Sequence, residues 1–97
     1  MKTKDQKAID RRLARIEGQV RGLRRLVEED AYCCDLLTQI SAVSSALNQV
    51  AGIVAANHVR HCVVGHPKGE GHSVAKKMSQ DELFDELEEV FSRLMRA

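Results

Sequence analysis

Leu36, Ile40, Val43, Leu47, Val50 and Val54 follow one another at alternating intervals of four and three residues, and Asn57 and His61 carry the interval onward. That is the signature of one face of a single helix, running for about 27 residues with no proline to break it. At 1.5 Å per residue such a helix reaches roughly 40 Å. A compact chain of about 100 residues has a diameter of only ~26 Å, from a radius of gyration near 13 Å. Ala42, Ala46, Ala51, Ala55 and Val59 widen the apolar surface beyond one stripe, as in a helix covered from more than one side. The chain is therefore expected to self-associate by helix pairing, as a homodimer or a larger even-numbered assembly.

The flanking segments are also helical by pattern. Ile9, Leu13, Ile16, Val20, Leu23 and Val27 form a stripe on a helix from about 5 to 29. Gly18 and Gly22 lie inside it at a cost of about 1 kcal/mol each relative to alanine, which implies either a closely approaching backbone or a bend. Glu28, Glu29 and Asp30 crowd its negative end, which suits a terminus there. The long helix is expected over about 33–62 and a breaker-rich loop over about 64–78, around Gly65, Pro67, Gly69 and Gly71. A last helix is expected over about 79–96. Ser79 and Glu82 form a capping box at its start, and Leu83, Leu87, Val90 and Leu94 supply its stripe.

The expected fold class is thus all-α, with three helices per chain, one long and central, in a single domain over 1–97. The chain has 97 residues, only three aromatics and one proline; it is too short for a dinucleotide-binding sheet or a two-lobed enzyme. No apolar run approaches the roughly 18 residues of a membrane span, and no signal-peptide pattern follows the basic start. A cytoplasmic protein without membrane association is the expectation, and three cysteines there read as ligands, redox groups or packing rather than as a disulfide framework.

The net charge of +1 conceals an asymmetry. Residues 1–27 hold nine bases (Lys2, Lys4, Lys7, Arg11, Arg12, Arg15, Arg21, Arg24 and Arg25) against three acids, a balance of +6. Residues 79–97 hold six acids against Arg93 and Arg96, a balance of −4. A segment of +6, repeated in an oligomer, suits a polyanion. Arg11, Arg12, Arg15, Arg21, Arg24 and Arg25 can neutralise phosphates, and Arg15 and Gln19, one turn apart, can also reach base edges.

Cys33 opens the long helix, and His58 and Cys62 stand four residues apart near its end. On one helix 25 residues separate Cys33 from His58 by roughly 37 Å, so one chain cannot bring them to one ion. Antiparallel pairing of two copies would set Cys33 of one chain beside His58 and Cys62 of the other, twice in a two-fold dimer. Two thiolates and one imidazole suit Cu(I), which accepts three ligands; zinc would want a fourth, from His61, His66 or His72. Spacing alone leaves ordinary burial of cysteine open as well. Cys34 points about 100° away from Cys33 and reads as an apolar filler, with a minor redox role as the alternative.

The stretch Arg12-Leu13-Ala14-Arg15-Ile16-Glu17-Gly18-Gln19-Val20-Arg21-Gly22, the run from Glu28 to Cys33, the run from Asp35 to Val43 and the pair His58 and Cys62 resemble the CsoR/RcnR family of metal-sensitive repressors. The likeness spans about residues 8 to 97. It implies an all-helical dimer assembling to a homotetramer, without a helix-turn-helix, that releases operator DNA when its inducer binds. Within the family the chain looks like the copper class, with Cys33, His58 and Cys62 as ligands. The nickel and cobalt class adds an N-terminal histidine and ends its ligand set in histidine, and the formaldehyde class uses an N-terminal proline. Here the start reads Met1-Lys2-Thr3. By position, Tyr32 matches the tyrosine before the first ligand. Glu86 matches the glutamate that accepts a hydrogen bond from the ligand histidine, with Glu82 as the alternative.

The resemblance thus implies a Cu(I)-responsive repressor of copper-efflux genes, with no catalytic constellation. Two other readings compete. One is a persulfide- or redox-sensing repressor using Cys33 and Cys62; the other is a helical copper-buffering protein that ignores DNA.

Overall fold

The computed structural model describes residues 3–96; Met1 and Lys2, which enter the charge and class readings above, and Ala97 lie outside them. Among the described residues every regular element is helical. Helix α1 spans Thr3–Glu28, α2 spans Cys33–His58, a π-helical segment spans Val59–Val64, a 3-10 turn spans His66–Lys68, α3 spans Ser73–Lys76 and α4 spans Gln80–Arg96. Four α-helices, three of them long, stand where three were expected. The all-α class holds. The loop expected over about 64–78 is partly wound, and the chain divides into two compact units between Val54 and Ala55.

In the first unit, α1 and the body of α2 pack through Ile9, Ile16 and Val50, with Val43, Ala46 and Ile53 against them. Each expected stripe proves to be two lines at seven-residue steps. On α1 the line of Ile9, Ile16 and Leu23 is turned inward, while Leu13 (41% exposed), Val20 (42%) and Val27 (64%) are open. On α2 Leu36, Val43 and Val50 are covered, whereas Ile40, Leu47 and Val54 are exposed. One neighbouring helix covers only part of an apolar arc more than 100° wide. The inner line of each helix is buried or half-buried and the outer line is left open.

The turn between these helices is a Schellman motif. The Asp30 N–H donates to the Val27 carbonyl (3.1 Å) and the Ala31 N–H to that of Leu26 (3.0 Å). Asp30 takes the left-handed conformation at φ 54°, so α1 ends at the acidic run as its charges implied. The Tyr32 carbonyl then accepts from the N–H groups of Asp35 (3.0 Å) and Leu36 (3.2 Å) and starts α2.

In the second unit the expected continuation of α-helix to about 62 is corrected: Val59–Val64 winds as a π-helix. Neighbouring residues of an α-helix point 100° apart, yet Cys62 and Val63 are both buried. The wider π turn admits both to one cluster, formed with Ala75 and the fully buried Leu83 and flanked by Met78. The capping box is present: the Ser79 N–H donates to Glu82 Oε1 (2.9 Å), and the Glu82 N–H donates to Ser79 Oγ (3.2 Å). Along α4 the stripe opens progressively, from buried Leu83 through half-buried Leu87 to exposed Val90 and Leu94.

Candidate metal site and nucleic-acid interface

Cys33 is the first residue of α2 and is exposed, as are Cys34 and the preceding Tyr32. His58 is the last residue of the same helix and is half-buried. The expected donors of one chain therefore occupy the two ends of a 26-residue helix. Among the described residues no three His, Cys, Asp or Glu side chains of one chain gather as a metal site.

At the His58 end, Cys62 is buried (8% exposed), and its Sγ accepts a hydrogen bond from the His72 backbone N–H at 3.5 Å. The chain reaches this position through Gly71, at φ 105°. A Cβ on Gly71 would stand 2.9 Å from Cys62 Cα and 3.3 Å from Sγ, so only glycine permits this approach. Gly65 is equally constrained: a Cβ there would stand 2.6 Å from the His61 carbonyl oxygen and from Glu70 Oε2. Its carbonyl closes the loop by accepting from Lys68 (3.0 Å) and Glu70 (3.1 Å) N–H.

The histidines near Cys62 are partly committed. His66 Nε2 donates to the Met78 carbonyl (2.7 Å), and His72 Nδ1 accepts from the Val74 N–H (3.1 Å) at the start of α3. Gln80 Nε2 donates to the Val63 carbonyl (3.3 Å). These bonds tie the segment carrying Cys62 to the start of α4. Glu82, the alternative partner for the ligand histidine, is engaged by Ser79. The Ser79 backbone N–H, and then its side chain, hold the Glu82 carboxyl below the usual carboxylate range. Glu86, one turn on, is exposed.

The Cys62 sulfur is thus shielded from solvent with a backbone N–H aimed at it. With an imidazole four residues earlier, the donor chemistry fits a soft metal ion. Sequence reasoning missed the backbone clasp of Gly71 and His72. Its only trace in the sequence is the spacing of Gly65, Gly69 and Gly71.

On α1, Arg11, Arg12, Arg15, Gln19, Arg21, Arg24 and Arg25 are all exposed. Arg12 is turned toward α2, where its Nη1 donates to Gln49 Oε1 at 3.5 Å. Gln19 lines a groove with Leu23, Leu26 and Gln39, and Arg21, Arg24 and Arg25 border a shallow depression with Glu28. At 100° per residue, Arg11, Arg21 and Arg25 fall within about 50° of the direction opposite Ile9 and Ile16, and Arg15 about 70° from it. Gly18 and Gly22 lie on that face too, and a Cβ on either would meet nothing within 4 Å.

A family model described as "metal-sensitive transcriptional repressor" matches residues 5–93. The chain belongs to this repressor family. The copper-sensing transcriptional repressor RicR of Mycobacterium tuberculosis is 53% identical over 66 residues, covering 63% of this chain and 69% of that protein. The copper-sensing repressor CsoR of Bacillus subtilis is 47% identical over 78 residues, covering 79% of this chain and 75% of its own. Among solved structures, the copper-sensing repressor CsoR with Cu(I) from Geobacillus thermodenitrificans superposes with a TM-score of 0.80 at 36% identity. That match covers 98% of this chain and 91% of the other. In a family of repressors, the basic helix and the cysteine and histidine donors are the features to weigh. Among the described residues no helix is long and apolar enough to cross a membrane.

Proposed function

We propose that this member of the repressor family senses Cu(I): without the ion its assembly holds operator DNA, and with the ion it releases it and derepresses copper-efflux genes. The observation that carries the reading is the pair of His58, at the end of α2, and buried Cys62, in the π-helical segment that follows it, in a chain that matches a Cu(I)-containing repressor structure over 98% of its length. Cu(I) is the inducer; it is soft, and accepts two thiolates and an imidazole without a water. His58 and Cys62 supply two donors, and Cys33 of a second, antiparallel chain supplies the third. Glu86 orients the imidazole from its other nitrogen, since Glu82 is occupied by Ser79. Tyr32 stands beside Cys33 at the junction. His66, one of the three candidate fourth ligands for zinc, has its Nε2 engaged by the Met78 carbonyl.

The exposed lines of Leu13, Val20 and Val27 and of Ile40, Leu47 and Val54 support pairing of copies into a dimer and, through the dimer, a tetramer. The exposed arginines of α1, with Gln19, would then meet the phosphates and base edges of operator DNA in the cytoplasm. A coupling of about 1 to 3 kcal/mol, or 5- to 150-fold in operator affinity, is ordinary for such a switch. A gel-shift titration with operator DNA tests it. The expected result is a shifted band that disappears on stoichiometric Cu(I). A band insensitive to Cu(I) refutes copper sensing, and tight Cu(I) binding with no band at all makes the protein a copper buffer.

A further inference from the structure

Resting on the reading of Cys62 as a ligand, we infer that the His72 backbone N–H, delivered by Gly71, is a positioning group for the Cys62 sulfur. The need for it follows from charge. Two thiolates around a monovalent cation carry a net charge of −1, and Cys62 is buried. Charge held away from water needs a compensating donor. The cluster around Cys62 consists of Val63, Ala75, Leu83 and Met78, none of which offers a side-chain donor. The His72 N–H, 3.5 Å from Sγ, is a donor that reaches this sulfur.

The backbone is built to deliver it. Gly71 lies so close to Cys62 that any Cβ would press on its Cα and Sγ. The preceding turn is locked by two N–H groups on the Gly65 carbonyl. Immediately afterwards the Val74 N–H is tied to His72 Nδ1. The imidazole of His72 thus caps α3 while its amide serves the sulfur, so the two roles of one residue can be separated by mutation.

His72 sits at φ −67° and ψ 147°, a backbone conformation open to proline, although the ring Cδ would replace the N–H hydrogen and press on Cys62 Sγ, which lies 3.5 Å from the nitrogen. His72→Ala removes the cap and keeps the N–H; His72→Pro removes both. Cu(I) affinity would be measured by competition with a chromophoric Cu(I) chelator, alongside the sulfur-to-copper charge-transfer band, on the full assembled protein. His72→Ala is expected to stay within about twofold of wild type, and His72→Pro to bind about tenfold more weakly or worse, as outer-shell losses do. The band should move in the proline variant alone. Equal affinities and identical bands in the two variants overturn the inference while leaving Cys62 a ligand. Failure of wild type to bind Cu(I) overturns the parent reading, and this inference with it. Because the proline ring also presses on the sulfur, hydrogen exchange in wild type decides between loss of the donor and simple crowding. The His72 amide should exchange about tenfold more slowly with Cu(I) bound, its acceptor then being held in place, and an unchanged rate overturns the inference.

Discussion

Asp30 shows how a single residue can carry a conformational cost that the sequence announces only indirectly. It closes the Schellman turn at φ 54°, where a Cβ is unwelcome, and adds a third acid to the negative end of α1. Asp30→Gly relieves both and should raise stability by about 0.5 to 1 kcal/mol, read as a higher urea midpoint at fixed protein concentration. The acidic run made the turn legible; the positive φ was not, because aspartate is compatible with either hand of backbone. His66 is a second such case. Its ring donates to the Met78 carbonyl, 12 residues away, a pairing that no local pattern encodes. His66→Ala should cost about 1 kcal/mol by the same measurement. It should also loosen α4 from the segment carrying Cys62, seen as faster amide exchange at Ser79 to Leu83.

Ser79 and α4 illustrate how far element boundaries can be read from local chemistry. The box was visible as a serine and a glutamate three residues apart, and both of its bonds form. Ser79→Ala should cost about 1 kcal/mol, measured by thermal unfolding. Because Ser79 holds the Glu82 carboxyl below its ordinary value, Glu82 binds its proton less readily in the fold than in the unfolded chain. Its stabilisation is complete above the unfolded carboxylate range and is lost as pH falls through the folded value. Helicity should therefore fall during acid titration, and Ser79→Ala, which keeps the backbone N–H and loses only the hydroxyl, should weaken that response in part; an identical acid profile in the variant would contradict the hydroxyl's share of it. The end of α2 was read less well. Its four-and-three interval continues through Asn57 and His61, yet the backbone changes to a π turn at Val59. A period cannot report that two adjacent residues, Cys62 and Val63, are drawn into the same cluster.

At the scale of the whole molecule, the open heptad lines set the strongest constraint on the proposed self-association. Leu47, 46% exposed, lies centrally in the outer line of α2. Leu47→Glu should shift sedimentation toward a monomer and abolish operator binding while Leu13, Val20 and their neighbours are otherwise unchanged. A Leu47→Glu protein that still sediments as an oligomer would place the copies on another face. For the nucleic-acid face, Arg15→Ala should weaken operator binding at every sequence tested and lower the dependence on salt by about one ion for each phosphate it no longer neutralises. Cu(I) affinity should be unchanged; unaltered operator binding would remove Arg15 from the interface.

Helical class, the capping box, the acidic stop at Asp30, the basic first helix and the placing of Cys33 and His58 at opposite ends of the long helix were all legible in the chain itself. Each depends on side chains within a few residues of one another, or on total charge. Which heptad line lies inside, where α2 changes its winding, and which amide meets the Cys62 sulfur were not. Those outcomes depend on pairings between residues ten or more positions apart, where packing overrides local preference and no repeating interval records the result.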